Sequence, residues 1–260
     1  MTGTLSPEVV VLGASGTVGA GVVAALLEAG SPVLAVGRDP HRLQKLAALY
    51  PDEPGLELLV GSVATEKAGA ALAATVSGRA RPLRAVIDAT SGPRPRSTRV
   101  LDAPAARLRR TLDQELLPHL IAAHHLLPLL AGHHDAQFLL VGGPAGERAW
   151  SGYGLQSVAS AATRMLINVL HEEARPLGVR VQLIGVDAPL QTPENAAHAC
   201  PGWPRALEVG RCVVTQLING RRRPGPLVPF RRDCSDPPGQ TLFTSLVDPP
   251  WAARGDPLPH

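Results

Sequence analysis

Residues Val9 to Val23 read VVVLGASGTVGAGVV, and this stretch decides the fold. Aliphatic, mostly β-branched residues run into Gly13, with further glycines at 16 and 19 and an apolar, small-residue continuation. A buried parallel strand, a tight phosphate loop and a helix N-terminus require that order. Gly13 allows the turn, Gly16 lets the backbone approach a pyrophosphate, and Gly19 lets the helix pack closely on the strand. Unsatisfied N–H groups at the helix start then face the phosphate charge. Ser15, Thr17 and Val18 complete the loop as candidate cofactor contacts. A glycine-rich turn without a ligand is the competing interpretation; the strand before the turn and the helix after it favour a dinucleotide site.

At 260 residues the chain is long enough for one large α/β domain with a substantial core. Aromatics make up 3% of it, while Ala, Leu and Val abound, as suits helices packed on a parallel sheet. A net charge of +3 is too small to argue for a nucleic-acid partner. Cys200, Cys212 and Cys234 have no C-x-x-C spacing, so neither a disulfide framework nor a zinc site is indicated. The N-terminus lacks a charged region followed by an apolar signal core, and no apolar run approaches the ~20 residues of a membrane helix. The expectation is a soluble cytoplasmic protein without a membrane partner.

The same pattern recurs along the chain. Helical segments are expected at Ala20–Ala29, His41–Leu49 and Ala68–Thr75, with strands at Pro32–Val36, Leu56–Val60 and Ala85–Ala89 between and after them. A long helix over about Ala105–Leu130, broken or kinked near Pro118 and Pro128, leads to a strand at Gln137–Val141. A helix at Gln156–Ala174, a strand at Val179–Val186, a helix at Arg205–Leu217 and a short strand at Leu227–Phe230 follow. This alternation predicts a single-domain, Rossmann-like doubly wound parallel sheet over residues 1–230. Residues 231–260 form a Pro/Arg-rich tail without periodicity, either disordered or wrapped on a neighbouring subunit. At the end of the second strand, Gly37 stands where an acidic residue would bind the adenosine ribose, and Arg38 follows it. That pair favours NADP(H) over NAD(H), with a solvated surface arginine as the alternative.

Three segments resemble the short-chain dehydrogenase/reductase family. They are Leu12–Gly19, LGASGTVG; Asp113–Leu130, DQELLPHLIAAHHLLPLL; and Glu173–Val181, EARPLGVRV. About 220 residues fit the family plan. The resemblance implies a nicotinamide cofactor, a small-molecule substrate, a variable substrate lid here at 189–204, and a homodimer or homotetramer formed through the two long helices. It also places Asp88 and Ala89 beside the adenosine, with capping of the next turn as the other role for Asp88. Asp187 falls after the sixth strand, where the family has a Pro-Gly pair against the nicotinamide.

The catalytic pattern of the family is absent. Members use a Tyr-x-x-x-Lys pair, a serine and an asparagine; the tyrosine delivers the proton and the lysine lowers its pKa. Here Tyr50 is followed four residues later by Pro54 and Tyr153 by Ser157, and Lys45 and Lys67 lie far from the site. Counting without gaps puts Gln156 at the tyrosine position, Ser160 at the lysine position, Gly143 at the serine position and Glu115 at the asparagine position. Glutamine cannot protonate an alkoxide, and Tyr153, as a loop residue, is the best remaining phenolic donor. Glu115 and His119, four apart on one helix face, are either an acid/base pair or a helix-face ion pair or interface contact. His124-His125 and His133-His134 have metal spacing only superficially. Adjacent helical histidines point roughly 100° apart and no carboxylate or cysteine completes a set, so no metal is expected.

The functional expectation is an atypical NADP(H)-dependent oxidoreductase acting on an activated small organic metabolite in biosynthesis. The alternatives are a non-redox cyclase, dehydratase or isomerase on the same scaffold, or an inactive partner subunit. Candidate catalytic residues are Tyr153, Glu115, His119, Gln156 and Asp187. Candidate cofactor contacts are Gly13, Ser15, Gly16, Thr17, Val18, Gly19, Arg38, Asp88 and Ala89.

Overall fold

The architecture is taken from a computed structural model, which describes residues 8–79, 83–93, 97–143, 146, 149, 151–219 and 225–231. Apart from Arg231, the expected C-terminal tail lies outside the described residues. The strands are β1 (Val9–Leu12), β2 (Val33–Gly37), β3 (Leu56–Val60), β4 (Ala85–Asp88), β5 (Gln137–Gly142), β6 (Arg180–Gly185) and β7 (Leu227–Pro229). The helices are α1 (Thr17–Glu28), α2 (Pro40–Ala47), α3 (Glu66–Ser77), α4 (Ala105–Glu115), α5 (Leu117–Leu130), α6 (Gly154–Ala174) and α7 (Ala206–Asn219).

These strands pair in parallel in the order β3-β2-β1-β4-β5-β6-β7. Residues of β1, a central strand, alternate between two cores. Val9 and Val11 join the cluster that contains Leu43, Leu46, Val213 and Leu217 of α2 and α7. Val10 and Leu12 join the cluster that contains Leu72, Leu126 and Ile167 of α3, α5 and α6. With helices on both faces, a central strand buries both of its sides, which is why β1 reads as an unbroken aliphatic run. The strand order reverses between β1 and β4, so the crevice at their C-terminal ends is the topological switch point where such sheets bind ligands. Leu12 pairs with Asp88 across it.

The expected elements are all present, with shifted ends. Helix α1 starts three residues earlier than expected, with Gly16 as its N-cap in extended geometry. The long helix divides into α4 and α5 at Leu116, just before Pro118. Proline removes one intrahelical donor and its ring crowds the carbonyl four residues back, so the break falls ahead of the proline. Pro128 is accommodated within α5. Helices α1 and α7 touch through glycines: a Cβ on Gly21 would strike the Ala206 backbone, and one on Gly210 the Gly21 carbonyl. Arg211 of α7 also holds Glu28 of α1, with Nη2 to Oε1 at 2.7 Å. The segment where a lid is expected is closed on itself, Gln191 donating its N–H to the Pro204 carbonyl at 2.8 Å, and Arg205 beyond it donates its own to the Glu208 carboxylate.

Candidate cofactor and active site

The cradle comes from β1, α1 and the end of β4. Gly13 has φ +70°, a region where an L side chain is strained, and a Cβ there would lie 2.7 Å from the Ala89 carbonyl oxygen. A Cβ on Gly19 would run into the Gly13 carbonyl. Gly16 donates to that carbonyl at 2.8 Å, and its own side-chain position is 3.1 Å from the same oxygen. Loop and helix start are therefore in backbone contact, with no room for side chains at the first and third glycines. The first-turn amides at Thr17, Val18 and Gly19 have no intrahelical acceptors. No acidic residue occupies that turn and no side chain caps it, so the positive helix end is open to an anion. These residues fit a dinucleotide pyrophosphate.

At the end of β2, a Cβ on Gly37 would sit 3.1 Å from Leu43 and 3.3 Å from Ser15 Oγ, so the site of an acidic side chain is filled. Arg38 is exposed and forms no bond or ion pair among the described residues. Asp39 is the N-cap of α2, accepting from the amides of His41 and Arg42. Arg42 then reaches back, Nη2 donating to the Ser15 carbonyl at 3.0 Å. Sequence reasoning did not single out Arg42. Its spacing of four from Arg38, behind an Asp-Pro helix start, was the available signal.

Asp88, at the end of β4, is fully buried. One carboxylate oxygen accepts from the Thr90 amide at 3.0 Å and its hydroxyl at 2.6 Å; the other lies 2.8 Å from His119 Nδ1. Of its two expected roles, capping the following turn is the one with contacts. The Ala89 backbone lines the cradle, donating to the Leu12 carbonyl at 3.1 Å. Glu115 ends α4 and accepts from the Gly92 amide at 3.3 Å; a Cβ on Gly92 would overlap its carboxylate. Although the helix breaks between them, Glu115 and His119 still turn toward the same end of β4.

Their titration follows from this packing. Burial by itself would drive a proton off His119. The charge and hydrogen bond of Asp88, with the charge of Glu115, outweigh it and raise the pKa above its ordinary 6.5. Burial raises Glu115 above its ordinary 4.5, against the smaller pull of the Gly92 amide and of His119. His119 and Glu115 therefore each hold a proton more firmly than the isolated group would.

The remaining candidates approach from β5, β6 and α6. Tyr153 is the half-buried N-cap residue of α6, its carbonyl accepting from Ser157, and Gln156 lies in the first turn of that helix. Thr98 donates to the Gly152 carbonyl at 2.7 Å, so residues 97–100 lie against this helix start. Gly143 leaves open space where a side chain would project. Asp187 is exposed just beyond β6, with Oδ1 3.9 Å from where a Gly185 Cβ would be. Arg164, one turn past Ser160, brings Nη1 to within 3.5 Å of the same point. It places a cation at the end of β6, and sequence reasoning missed it because it lies outside the family's motif. The buried Thr192 Oγ1, in the segment after β6, has no hydrogen-bond partner among the described residues.

The expectation that no carboxylate stands beside the His124-His125 pair is not met. Glu66 of α3 supplies the carboxylate missing from the local sequence, its Oε2 lying 2.7 Å from His125 Nε2. With His124 the three form a group whose ligand atoms all lie within 4.8 Å of one another.

The fold and cradle define a dinucleotide-binding Rossmann-like protein. The short chain dehydrogenase family model matches residues 7–197, and the chain belongs to that family. It is 32% identical over 184 residues to the polyketide synthase GfsB of Streptomyces halstedii, a match covering 67% of this chain and 3% of that far longer one. A short-chain type dehydrogenase/reductase from Mycobacterium ulcerans shares the fold with a TM-score of 0.75, at 21% identity over 86% of this chain and 89% of that one. So does an NADPH-bound short chain oxidoreductase with an atypical catalytic centre from Pseudomonas aeruginosa PAO1. Its TM-score is 0.75, at 20% identity over 85% and 94% of the two chains. No helix among the described residues is long and apolar enough to cross a membrane.

Proposed function

We propose that the chain binds NADP(H) in preference to NAD(H) and reduces an activated small organic metabolite in a biosynthetic pathway. The carrying observation is an intact anion cradle beside buried Asp88 and His119 and half-buried Glu115, in a chain without Tyr-x-x-x-Lys. The likeness to a polyketide synthase segment and to an NADPH-bound oxidoreductase with an atypical centre supports the same reading.

Gly13, Ser15, Gly16, Thr17, Val18 and Gly19 would hold the pyrophosphate, and Arg38 with Arg42 the 2′-phosphate. Ala89 would line the adenosine side, with Asp88 holding the turn. When bound, the nicotinamide supplies a hydride. An acceptor such as a conjugated enone or iminium needs less acid assistance than a simple ketone, which suits a site without the phenol–lysine pair. Glu115 and His119 would keep the proton that the reduced product takes up, with Asp88 fixing the imidazole tautomer. Tyr153 is the second proton donor, Gln156 can hydrogen-bond to an alkoxide but not protonate it, and Asp187 orients the substrate or carboxamide.

Two other functions remain in competition. The Glu115–His119 pair could run a non-redox cyclisation, dehydration or isomerisation without hydride transfer. Exposed Leu117, Leu120, Val158, Met165 and Val169 on α5 and α6 favour pairing as a homodimer or homotetramer, or with an active relative. Titration with NADPH and NADP separates these possibilities. Absence of binding at about 1 mM cofactor would sink the reductase. Binding without hydride consumption across a panel of enones and quinones would move the assignment to the other two.

A further inference from the structure

We propose that Glu66, His124 and His125 form a site for a divalent transition-metal ion of the zinc class, on the flank where α3 packs against α5. Three observations converge on it. Glu66 Oε2 and His125 Nε2 already meet at 2.7 Å from helices 59 residues apart in sequence. The rings of His124 and His125 stand perpendicular with centroids 4.8 Å apart, so these helical neighbours converge rather than diverge. Gly69 makes the approach possible: a Cβ there would lie 2.7 Å from His125 Cδ2 and 2.6 Å from Ile121. Glycine in α3 is the gap into which the imidazole fits.

Imidazole nitrogens and a carboxylate oxygen are a zinc donor set, and three protein ligands leave one tetrahedral position for water. Bonds of about 2.0–2.1 Å place tetrahedral ligand atoms roughly 3.3 Å apart. The present maximum of 4.8 Å therefore has to close by about 1.5 Å. Glu66 and His124 are exposed and can rotate to do so, while His125 is held against α3. The favourable charge of an acidic residue at a helix N-terminus accounts for Glu66 without a metal, but not for the convergence of two imidazoles on it.

The test is calorimetric titration of the chelator-treated full chain with Zn²⁺. One equivalent should bind, with affinity at least tenfold weaker in Glu66→Gln and in His124→Ala. A His133→Ala/His134→Ala double variant, which removes the other adjacent histidine pair, should bind as the parent does. His125→Gln preserves bulk against α3, and its melting temperature without zinc reports packing separately from metal binding. A single Zn²⁺ concentration that saturates the parent should raise the melting temperature of the parent and of the double variant equally, and that of Glu66→Gln by less. Unchanged affinity in Glu66→Gln or His124→Ala overturns the proposal. So does loss of binding in the His133/His134 variant, or a parent that takes up no zinc.

Discussion

The two sides of the switch point have diverged in opposite directions. At the end of β1, backbone geometry governs: Gly13 and Gly19 have no space for side chains, and backbone donors would do the binding proposed above. At the end of β4 side chains dominate instead: buried Asp88 and His119 and half-buried Glu115 gather there, in a chain without Tyr-x-x-x-Lys. A backbone site tolerates no change at its glycines but almost any change elsewhere. A side-chain site can be rebuilt residue by residue on an unaltered frame. The cofactor half of a Rossmann-like fold can therefore persist while the reacting half is replaced.

The strongest challenge to the first half is Gly19→Val. Its side chain would enter the Gly13 carbonyl, so denaturant unfolding should show a loss of about 3 kcal/mol or more, with NADPH binding lost as well. Asp88→Ala attacks the second half. Removing one member of a buried pair and leaving the other uncompensated costs about 3 kcal/mol, and His119 should titrate lower when followed by NMR. Preserved stability and an unmoved His119 would show that the pair does not organise this side.

A third measurement sharpens the contrast through pH. His119 is raised in the fold, so its stabilisation is complete below the unfolded value near 6.5 and is lost as pH rises through the folded one. Glu115 is raised as well, so its burial increasingly penalises the folded state as pH climbs above its ordinary 4.5. Stability should thus fall from mildly acidic toward alkaline pH, and His119→Gln should flatten the upper part of that slope. Arg38→Asp should weaken NADPH roughly tenfold more than NADH, with Arg42→Ala in the same direction. Equal weakening of both cofactors would mean that neither arginine reads the 2′-phosphate. Tyr153→Phe is the mildest change, and unaltered turnover would leave Glu115 and His119 as the acid groups.

What the sequence revealed and what it hid follow the same division. The phosphate loop was legible because its determinants lie within seven residues and a strand–loop–helix order accompanies them. The α4–α5 break was legible because Pro118 acts on its own turn, although the strand and helix ends moved by a few residues. The Asp88–His119 bond was not legible: it spans 31 residues and depends on how α5 lies across β4. Glu66 escaped notice beside His125 for the same reason, since the local sequence around a histidine pair says nothing about the next helix. Arg42 and Arg164 stood in view but outside the motif positions, and only the fold shows where their guanidinium groups go.

The glycine contact between α1 and α7 has a mechanical consequence. The helix that would carry the phosphates and the helix that receives the far end of residues 189–204 touch backbone to backbone at Gly21 and Gly210, and are clamped again by Arg211 and Glu28. Gln191, two residues beyond Pro189, is itself held to Pro204, so both ends of residues 191–204 are fastened to the same frame, like a handle fixed at two points. Hydrogen exchange should then be slow at the Gln191 amide as well as from Arg205 onward; a fast Gln191 amide would show that the segment is fastened at α7 alone.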